Sequence, residues 1–397
     1  MISLNDARSA VTLHVSQSGA ATTPLAHARG RVLREDVFAS EDFPAFDRSA
    51  MDGYAVAAAN GSDRFTVVGE IRAGELPTLI LKPGECVRIF TGARMPDGGT
   101  QVLMQEKVSR EGDEVVVLER EAALHVRVRG EDARTGALLL RAGTRLWGPE
   151  LALLAQVGAV LPLTSLVPRA VHLVSGDELV PPSANPGPSQ IRDSNSTLVA
   201  CLLEDAGARL AHQRHCADSV DAIVREVHSM PEAGWDVLLI SGGASVGDYD
   251  FGAKALIRLG FQLHFQAVNL RPGKPLVFGT RGHHVAFVVP GNPASHFVVF
   301  QTIIRHAFGC LEGAPASWPL VELPLDGELP RAVGGRETYL PAQVFIRNAQ
   351  MLVRLLSWKS SGDLVGLASA NALVQVLAES APVHAGGVVK CLLLDQR

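Results

Sequence analysis

The stretch SGGASVGDYD, residues 241–250, has the composition of a loop that binds an anion. Gly242, Gly243 and Gly247 let backbone N–H groups approach a ligand closely, and a helix that follows would add the positive end of its dipole. Both features favour a phosphate. The glycines do not follow the G-x-G-x-x-G order, and in RPGKP a proline follows Lys274 where a Walker motif requires serine or threonine. An ordinary tight strand-to-helix turn would use the same glycines, so the loop alone leaves both interpretations open.

Charged side chains around this loop favour a ligand. Arg271 and Lys274 in RPGKP could neutralise phosphoryl charge, and carboxylate oxygens are good ligands for Mg²⁺. Because both kinds of group lie beside Gly-rich loops, the cluster predicts a magnesium ion and a phosphate at one site. Each acid alone is more often a helix cap or a solvated loop residue, and Asp193 and Asp248 are both placed as caps would be. The carboxylates of the cluster are Asp177, Glu178, Asp193, Asp248 and Asp250.

Two further polar stretches occur earlier in the chain: AMDGYAV at residues 50–56 and HVRVRGED at residues 125–132. In the second, Arg127 and Arg129 are predicted to share one face of a strand, from which they could present positive charge to an oxyanion. A solvated strand face is the commoner explanation of such a pair. Asp132 follows a glycine turn and could equally be structural.

Apolar strand-like runs alternate with helical ones over about residues 169–310. RAVHLV, WDVLLI and HVAFVV predict buried strands, and each is followed by a polar, Gly-containing loop: SGDE, SGGASVGD or PGNP. Predicted helices follow, capped by Ser194 or Ser196 and by Asp218, and a long one follows PGNP. This alternation predicts a doubly wound, mainly parallel sheet. Because ligands bind outside the carboxyl ends of such strands, the three loops are predicted to gather at one edge.

The rest of the chain has β character. FTVVGEIRAGE, ECVRIFTGA, TQVLMQEKV and DEVVVLER alternate in the strand manner, which predicts a β-rich domain over residues 40–137. The flanks 21–39 and 138–168 combine a short Pro-led helix with strands. The β-rich domain is therefore predicted to be inserted between two halves of a connecting domain. Residues 316–397 predict a further β domain.

Composition narrows the class of protein. The chain has 397 residues, 47% hydrophobic and 19% charged, which is typical of a folded protein of several domains. Its net charge of −5 argues against nucleic acid as the main partner but allows a local basic pocket. The five cysteines are far apart and never form a C-x-x-C pair, so reduced thiols without zinc or disulfides are expected.

The sequence indicates a cytoplasmic protein that does not enter a membrane. MISLNDARSA has no basic start and no apolar run, so no signal peptide is expected. The apolar segment 146–168 contains Glu150 and is interrupted by Pro149, Gly158 and Pro162. A short helix followed by a strand is therefore predicted there instead of a membrane span.

Taken together, the motifs resemble one family. DFPAFDRSAMDGYAV, RIFTGARMP, VRGED, SGDEL, IRDSN, SGGASVGDYD, RPGKPLVFG and VPGNP occur in the order and approximate spacing of the molybdopterin molybdenumtransferase (MoeA) family, which includes the gephyrin E domain. SSGDLVGLASANALVQV resembles the final-domain motif of that family. The match covers nearly the whole chain. FDRSAMDGYA is highly specific to the family, whereas SGGASVGD is shared with its smaller adenylyltransferase relatives.

The resemblance implies a four-part chain and a reaction. A molybdopterin-binding, MogA-like α/β domain would comprise residues 1–20 and 169–313, and residues 316–397 would form a β-barrel-like domain. The chain would form a homodimer in which the inserted domain of one subunit faces the sheet domain of the other. It would take adenylylated molybdopterin and molybdate, cleave the phosphoanhydride with Mg²⁺, place molybdenum on the dithiolene sulfurs and release AMP.

The resemblance also assigns site residues. It implies that Glu178 and Asp248 are both catalytic and metal-binding, that Asp52 and Asp132 are catalytic acids, and that Lys274 is a catalytic, anion-binding residue. Two departures stand out: Arg271 replaces a frequent lysine, and His125 stands where asparagine is usual. The residues implied to contact substrate are Thr91, Arg127, Ser175, Gly176, Asp193, Gly242, Gly243, Ser245, Gly247, Arg271, Pro290, Gly291, Asn292, Pro293 and Ser361.

Three alternatives remain at this stage. A molybdopterin adenylyltransferase would share the sheet domain but would lack the inserted AMDGYA domain and the C-terminal β domain. A gephyrin-like dimeric scaffold without catalysis would need fused clustering domains, and none is expected before Met1. Insertion of tungstate differs only in the oxyanion, and the sequence does not separate it from molybdate.

Overall fold

The structure is a computed structural model that describes residues 1–57, 61–243, 251–314, 320–331 and 334–394. The predicted site residues Ser245, Gly247 and Asp248 therefore lie outside the described residues, as does Asp250. The chain divides into two compact units. The first contains Met1–Arg34, Arg145–Trp147 and Leu163–Arg397, and the second contains Glu35–Thr144 and Gly148–Pro162.

The helices and strands of the described residues are numbered in chain order. The α-helices are α1 (Leu4–His14), α2 (Gly148–Gln156), α3 (Asn195–Asp205), α4 (Val220–His228), α5 (Phe251–Arg258), α6 (Pro293–Val299), α7 (Arg305–Glu312) and α8 (Leu364–Ala368). A π-helical segment, Phe300–Ile304, joins α6 to α7. The strands up to residue 140 are β1 (Ala20–Thr22), β2 (Val37–Phe38), β3 (Arg48–Ser49), β4 (Gly53–Ala57), β5 (Arg64–Ile71), β6 (Glu85–Ile89), β7 (Gly99–Met104), β8 (Val108–Glu111), β9 (Glu114–Val117), β10 (Val126–Arg127) and β11 (Leu138–Leu140). The later strands are β12 (Leu163–Ser165), β13 (Arg169–Ser175), β14 (Leu179–Val180), β15 (Ile191–Arg192), β16 (Arg209–Cys216), β17 (Val237–Ser241), β18 (Gln262–Ala267), β19 (Leu270–Arg271), β20 (Pro275–Arg281), β21 (His284–Val289), β22 (Leu320–Pro324), β23 (Glu337–Arg347), β24 (Gln350–Leu355), β25 (Ala372–Val376) and β26 (Val388–Leu393).

The first unit contains a six-stranded sheet with the order β16-β13-β17-β21-β20-β18. The first four strands are parallel to one another, and β20 and β18 continue the sheet in antiparallel pairs. Every residue of β17 and β21 is buried, because helices cover both faces. Buried residues of α1, α3, α6 and α7 pack on one face, and those of α4 and α5 on the other. The predicted doubly wound, mainly parallel sheet is confirmed.

Of the side chains proposed as helix caps, Asp193 is confirmed, whereas Ser194, Ser196 and Asp218 are not. The carboxylate of Asp193, and not Ser194 or Ser196, accepts the backbone N–H of Ser196 at 3.0 Å at the start of α3. The hydroxyl of Ser219, and not Asp218, accepts the N–H of Ala222 at 3.1 Å at the start of α4. In both helices the acceptor lies three residues before the donor, which is the spacing that a capping side chain reaches.

The C-terminal part of the first unit forms the sheet β19-β23-β25-β26-β22, with β24 paired to the other end of β23. Leu325, just after β22, bridges to Val353 of β24, so the sheet curls almost into a closed barrel. The predicted barrel-like β domain is therefore confirmed. Strand β19 belongs to the segment that leaves the α/β sheet, and its parallel pairing with β23 sets Arg271 opposite Thr338.

The second unit is β-rich, as predicted, with a six-stranded sheet in the order β7-β4-β6-β5-β9-β8. Gly53 begins β4, which lies between β7 and β6, at a point where the backbones of β4 and β7 are very close. A Cβ atom at Gly53 would lie 1.9 Å from the carbonyl oxygen of Leu103, so the strand requires glycine there. The finer division of the chain into four domains stays a prediction.

Two expectations concern the apolar segment and the cysteines. Among the described residues, no helix combines the length and the apolar content that crossing a membrane requires. The segment 146–168 contains the short helix α2, as predicted, while the strand that follows, β12, begins only at Leu163. All five cysteines are free thiols, in agreement with the expectation of no disulfides.

A buried ion pair ties the end of α7 to the connecting segments of the first unit. The Glu312 side chain is only 2% exposed, and its Oε2 lies 2.6 Å from Nη2 of Arg145. Arg34 donates from Nη1 to the carbonyl oxygen of Glu312 at 3.1 Å. Burial raises the pKa of Glu312, and the Arg145 guanidinium acts in the opposite direction.

We expect Arg145→Ala to lower the free energy of unfolding of the first unit by about 3 kcal/mol, because it leaves the Glu312 carboxylate buried without a partner. Arg258→Ala is the control: it removes the Arg258–Asp221 pair, whose side chains are 58% and 75% exposed, and should cost less than about 1 kcal/mol. The measurement is urea unfolding followed by tryptophan fluorescence, since the second unit contains no tryptophan. Equal losses in the two variants would contradict the expectation.

Candidate active site

The loops SGDE, SGGASVGD and PGNP begin at the carboxyl ends of three adjacent parallel strands. Val174 of β13 is in register with Ser241 of β17, which is in register with Val289 of β21. The predicted gathering of these loops at one edge is therefore confirmed for their described residues. Pro293, the last residue of the PGNP loop, is also the first residue of α6.

Gly242 lies at the centre of this edge. Its φ is +94°, and a Cβ atom there would lie 2.6 Å from the carbonyl oxygen of Ser175, so both conformation and space require glycine. Gly291 lies nearby: a Cβ atom built on Gly291 would be 4.0 Å from the Cα atom of Gly242. Gly243 accepts the N–H of Gly252 at 3.3 Å, which ties the start of the loop to α5.

Two buried polar atoms at the same edge have no partner among the described residues: Ser175 Oγ and Asn195 Oδ1. Both residues are only 6% exposed. Asn195 donates from Nδ2 to the carbonyl oxygen of Gly291 at 2.7 Å, so its amide is held in place while its oxygen stays available. Buried polar atoms of this kind are usually satisfied by a ligand or by ordered water. Asn195 was not among the residues predicted from the sequence, although it stands in the IRDSN motif, because Asp193 was the more conspicuous residue.

Glu178 follows Gly176 in the SGDE loop, and its carboxylate is exposed. Its backbone is fixed, because its carbonyl oxygen accepts the N–H of Ile191 at 2.9 Å where β14 pairs with β15. The carbonyl oxygen of Gly176 in turn lies 2.9 Å from Nε2 of His215. Within the part of the chain that the structure describes, no group of three or more histidine, cysteine or acidic side chains could hold a metal.

A cavity of about 420 Å³ lies beside the PGNP loop, between that loop and the C-terminal β sheet. Four cationic side chains line it: Arg271, Lys274, Arg336 and Lys359. The other lining residues include Pro290, Asn292, Ser295, Trp358 and Ser361. No carboxylate is among the described residues that line the cavity.

Hydrogen bonds between the start of α6 and the segment that precedes α8 hold the walls of this cavity. Asn292 donates from Nδ2 to Ser361 Oγ at 2.8 Å, and the N–H of Ala294 donates to the Ser361 carbonyl oxygen at 3.1 Å. Arg271 is fixed by the pairing of β19 with β23. The structure thus brings together five predicted residues: Arg271, Lys274, Pro290, Asn292 and Ser361. Arg336 and Lys359 were missed, because nothing in the sequence indicates that they face RPGKP.

In the second unit, Asp52 forms a compact group with Thr91. Its Oδ1 accepts both the backbone N–H and the hydroxyl of Thr91, each at 2.7 Å. These two hydrogen bonds, with a smaller contribution from the Arg88 guanidinium, hold the pKa of Asp52 below its usual value. Asp52 is therefore a carboxylate at neutral pH, with Oδ2 left for another partner.

Arg127 and Asp132 contact each other. The Arg127 guanidinium pairs with Asp132 and with Glu131, and the Glu131 bond is the main cause of its raised pKa. The expectation that Arg127 and Arg129 share one strand face is wrong: β10 ends at Arg127, and Arg129 lies in the following turn, where it pairs with Asp42 at 2.8 Å. Gly130 produces that turn, with a φ of +73°.

Three stretches of the chain match known protein families. Residues 2–158 match "MoeA N-terminal region (domain I and II)", residues 172–309 match "Probable molybdopterin binding domain", and residues 330–394 match "MoeA C-terminal region (domain IV)". Among solved structures, the chain is similar to the molybdopterin biosynthesis moeA protein from Pyrococcus horikoshii OT3, with a TM-score of 0.83 and 27% identity. That match covers 99% of this chain and 100% of the other.

Curated relatives agree with these matches. A protein of Nostoc sp. strain PCC 7120 named molybdopterin molybdenumtransferase is 36% identical over 372 residues, which is 90% of this chain and 85% of the relative. A protein of the same name from Bacillus subtilis strain 168 is 29% identical over 394 residues, covering 92% of this chain and 88% of the relative. The chain therefore belongs to the molybdopterin molybdenumtransferase (MoeA) family.

Proposed function

We propose that this chain inserts molybdate into adenylylated molybdopterin, with Mg²⁺-dependent cleavage of the phosphoanhydride. The anhydride bond breaks with uptake of one water, which gives AMP and the phosphate monoester of molybdopterin. The two dithiolene thiols bind molybdenum and displace one oxide, which leaves with their protons as water. Neither of these two steps gains or loses atoms, and neither transfers an electron. Membership of the family supports the assignment to molybdenum cofactor biosynthesis.

The observation that carries the proposal is the cationic cavity beside the PGNP loop. Charges of one sign around a small cavity repel one another, and an oxyanion relieves that repulsion. The four cationic side chains, with the hydroxyl of Ser361, offer charge-assisted donors to a tetrahedral oxyanion. This local basic cavity in a chain of net charge −5 suits molybdate.

The pterin and its phosphates would occupy the neighbouring edge of the α/β sheet. Gly291 lies near Gly242 there, while Pro290 and Asn292 on either side of it line the cavity. The PGNP loop thus adjoins both the cationic cavity and the start of SGGASVGD, residues 241–248, which is named the glycine loop. A substrate with phosphates on the glycine loop could direct its dithiolene towards the bound oxyanion.

Magnesium fits the residues present, although Asp248 lies outside the described residues. The Glu178 carboxylate is exposed and has no hydrogen-bond partner among the described residues, and Mg²⁺ usually takes only one or two protein carboxylates together with substrate phosphates and waters. Glu178 and Asp248 would hold the ion. When bound, it would supply positive charge to the phosphoanhydride.

Asp52 and Asp132 would act as fixed carboxylates. The low pKa of Asp52 makes it a weak base, so orienting a ligand or a water suits it better than taking up a proton. In the proposed homodimer these acids, carried on the inserted domain of one subunit, would complete the site of the other.

We expect Lys274→Gln and Arg336→Gln each to raise the KM for molybdate by about tenfold or more, because each removes a charge-assisted hydrogen bond. Lys390→Gln, at an exposed position of the same β domain, is the control and should leave KM unchanged. The measurement is AMP release, by chromatography, over a molybdate titration. The same titration with tungstate tests the preferred oxyanion. An unaltered KM in both cavity variants would exclude the cavity as the molybdate site.

Glu178→Gln should reduce Mg²⁺-dependent AMP release by about 100-fold or more, because the neutral amide is a poor ligand for a hard cation. The circular dichroism spectrum should not change, since the side chain is exposed. Glu204→Gln, on the exposed side of α3, provides the matched control. Turnover at the original rate would remove Glu178 from the metal site.

Mixed dimers test whether two subunits share the site. Asp52→Asn and Glu178→Gln proteins are each expected to be inactive, and refolding them together at equal concentration should restore about a quarter of the original activity. Half of the dimers are then mixed, and each mixed dimer has one intact site. If no mixing ratio restores activity, the site belongs to a single subunit.

A further inference from the structure

A chain of buried polar side chains runs beneath the loops of the candidate site. Gln213 of β16 contacts His172 of β13, which contacts Ser241 at the end of β17, which contacts His296 of α6. Ser241 directly precedes Gly242, and His296 lies one turn after the PGNP loop. These four residues, named here the buried polar chain, connect the elements that carry the site loops.

The proton positions along the buried polar chain follow from its partners. The amide nitrogen of Gln213 lies 2.9 Å from the carbonyl oxygen of Ser196, which can only accept, and 2.9 Å from His172 Nδ1. That nitrogen therefore donates both bonds, and Nδ1 of His172 is an acceptor. The proton of His172 is then on Nε2, which donates to Ser241 Oγ at 2.6 Å.

The Ser241 hydroxyl accepts from Nε2 of His172 and also lies 3.3 Å from Nδ1 of His296. A serine hydroxyl has one hydrogen and two acceptor lone pairs, so it can either donate to that Nδ1 or accept from it. His296 Nε2 is buried and has no partner among the described residues. Donation in the buried polar chain thus runs from Gln213 through His172 to Ser241, and the Ser241 hydroxyl links this run to His296.

Burial keeps both imidazoles neutral. It lowers the pKa of His172 to about 3 and that of His296 to about 3, with the neighbouring His172 a further cause for His296. His172, Ser241 and His296 are fully enclosed. A polar chain in such a place costs free energy unless its members are satisfied, and a satisfied chain fixes its members in one arrangement.

We propose that His172, Ser241 and His296 are positioning residues that fix the start of the glycine loop for binding the pterin substrate. The Ser241 hydroxyl is held from both sides, so the adjoining peptide to Gly242 has little freedom. Gly242 in turn lies against Ser175, with no room for a Cβ atom. The inference rests on the proposed function for the identity of the substrate, but not for the hydrogen bonding.

The kinetic test uses Ser241→Ala. We expect the KM for adenylylated molybdopterin to rise by about tenfold, while the KM for molybdate changes by less than about twofold, because Ser241 does not line the cationic cavity. Ser241→Thr retains the hydroxyl and should restore the original KM. Ser165→Ala removes another buried serine hydroxyl, which accepts the N–H of Val32 in the same unit, and should change neither KM. Equal changes in both KM values, or none, would overturn the proposal.

A second measurement does not depend on turnover. In the unaltered protein labelled with ¹⁵N-histidine, the nitrogen shifts should report neutral rings for both His172 and His296, with the proton of His172 on Nε2, unchanged between about pH 5 and pH 9. The signals are assigned by their loss in His172→Gln and His296→Gln. The opposite tautomer of His172, or titration of either ring in this range, would contradict the buried polar chain. Absence of turnover in the unaltered protein together with the expected shifts would instead count against the proposed function alone.

Discussion

Four positive side chains share one cavity without a carboxylate among its described lining residues, and their mutual repulsion must be resisted by the surrounding fold. Two features supply that resistance. Strand β19 leaves the α/β sheet and pairs with β23, which fixes Arg271 and brings RPGKP next to the C-terminal sheet. Asn292 and Ala294 hydrogen-bond to Ser361, which holds the opposite wall. Contacts of the RPGKP and PGNP segments with the C-terminal part of the chain therefore hold the walls of the cavity, and its charge is what makes an oxyanion a suitable ligand.

The parallel pairing of β13, β17 and β21 has a comparable effect on the neighbouring edge. Their register places the described residues of SGDE, SGGASVGD and PGNP side by side, and the lack of room for a Cβ atom at Gly242 shows how closely the chain approaches Ser175 there. Beneath them, the buried polar chain replaces apolar packing with directed hydrogen bonds. The same PGNP loop adjoins the cavity, so the proposed pterin and oxyanion sites would be neighbours. This arrangement suits a reaction that must bring a pterin dithiolene and an oxyanion together.

The acids of the second unit differ from Glu178 in their surroundings. Asp52 is held by Thr91 through one oxygen, and Asp132 is held by Arg127, so both are ordered before any ligand binds. Glu178 has a fixed backbone but a carboxylate without a partner in the described part of the chain. The fixed carboxylates of Asp52 and Asp132 suit a role in orienting a ligand. The unpartnered carboxylate of Glu178 suits a role in binding a cation. Arg127 already pairs with the carboxylates of Glu131 and Asp132, so it is less suited to binding a further anion.

The sequence by itself determined the elements and the motifs. Apolar runs ending in Gly-containing loops predicted the doubly wound sheet and the edge at which the loops meet, because strand burial and loop polarity are local properties. The motif order predicted the family. Tertiary structure decided the rest. Arg336 and Lys359 enter the cavity because distant strands pair, and Arg129 leaves the strand because Gly130 turns the chain. The buried polar chain depends on which atoms of four distant residues lie within hydrogen-bonding distance. Spacing along the chain does not encode such distances, since they arise only when separate elements pack together.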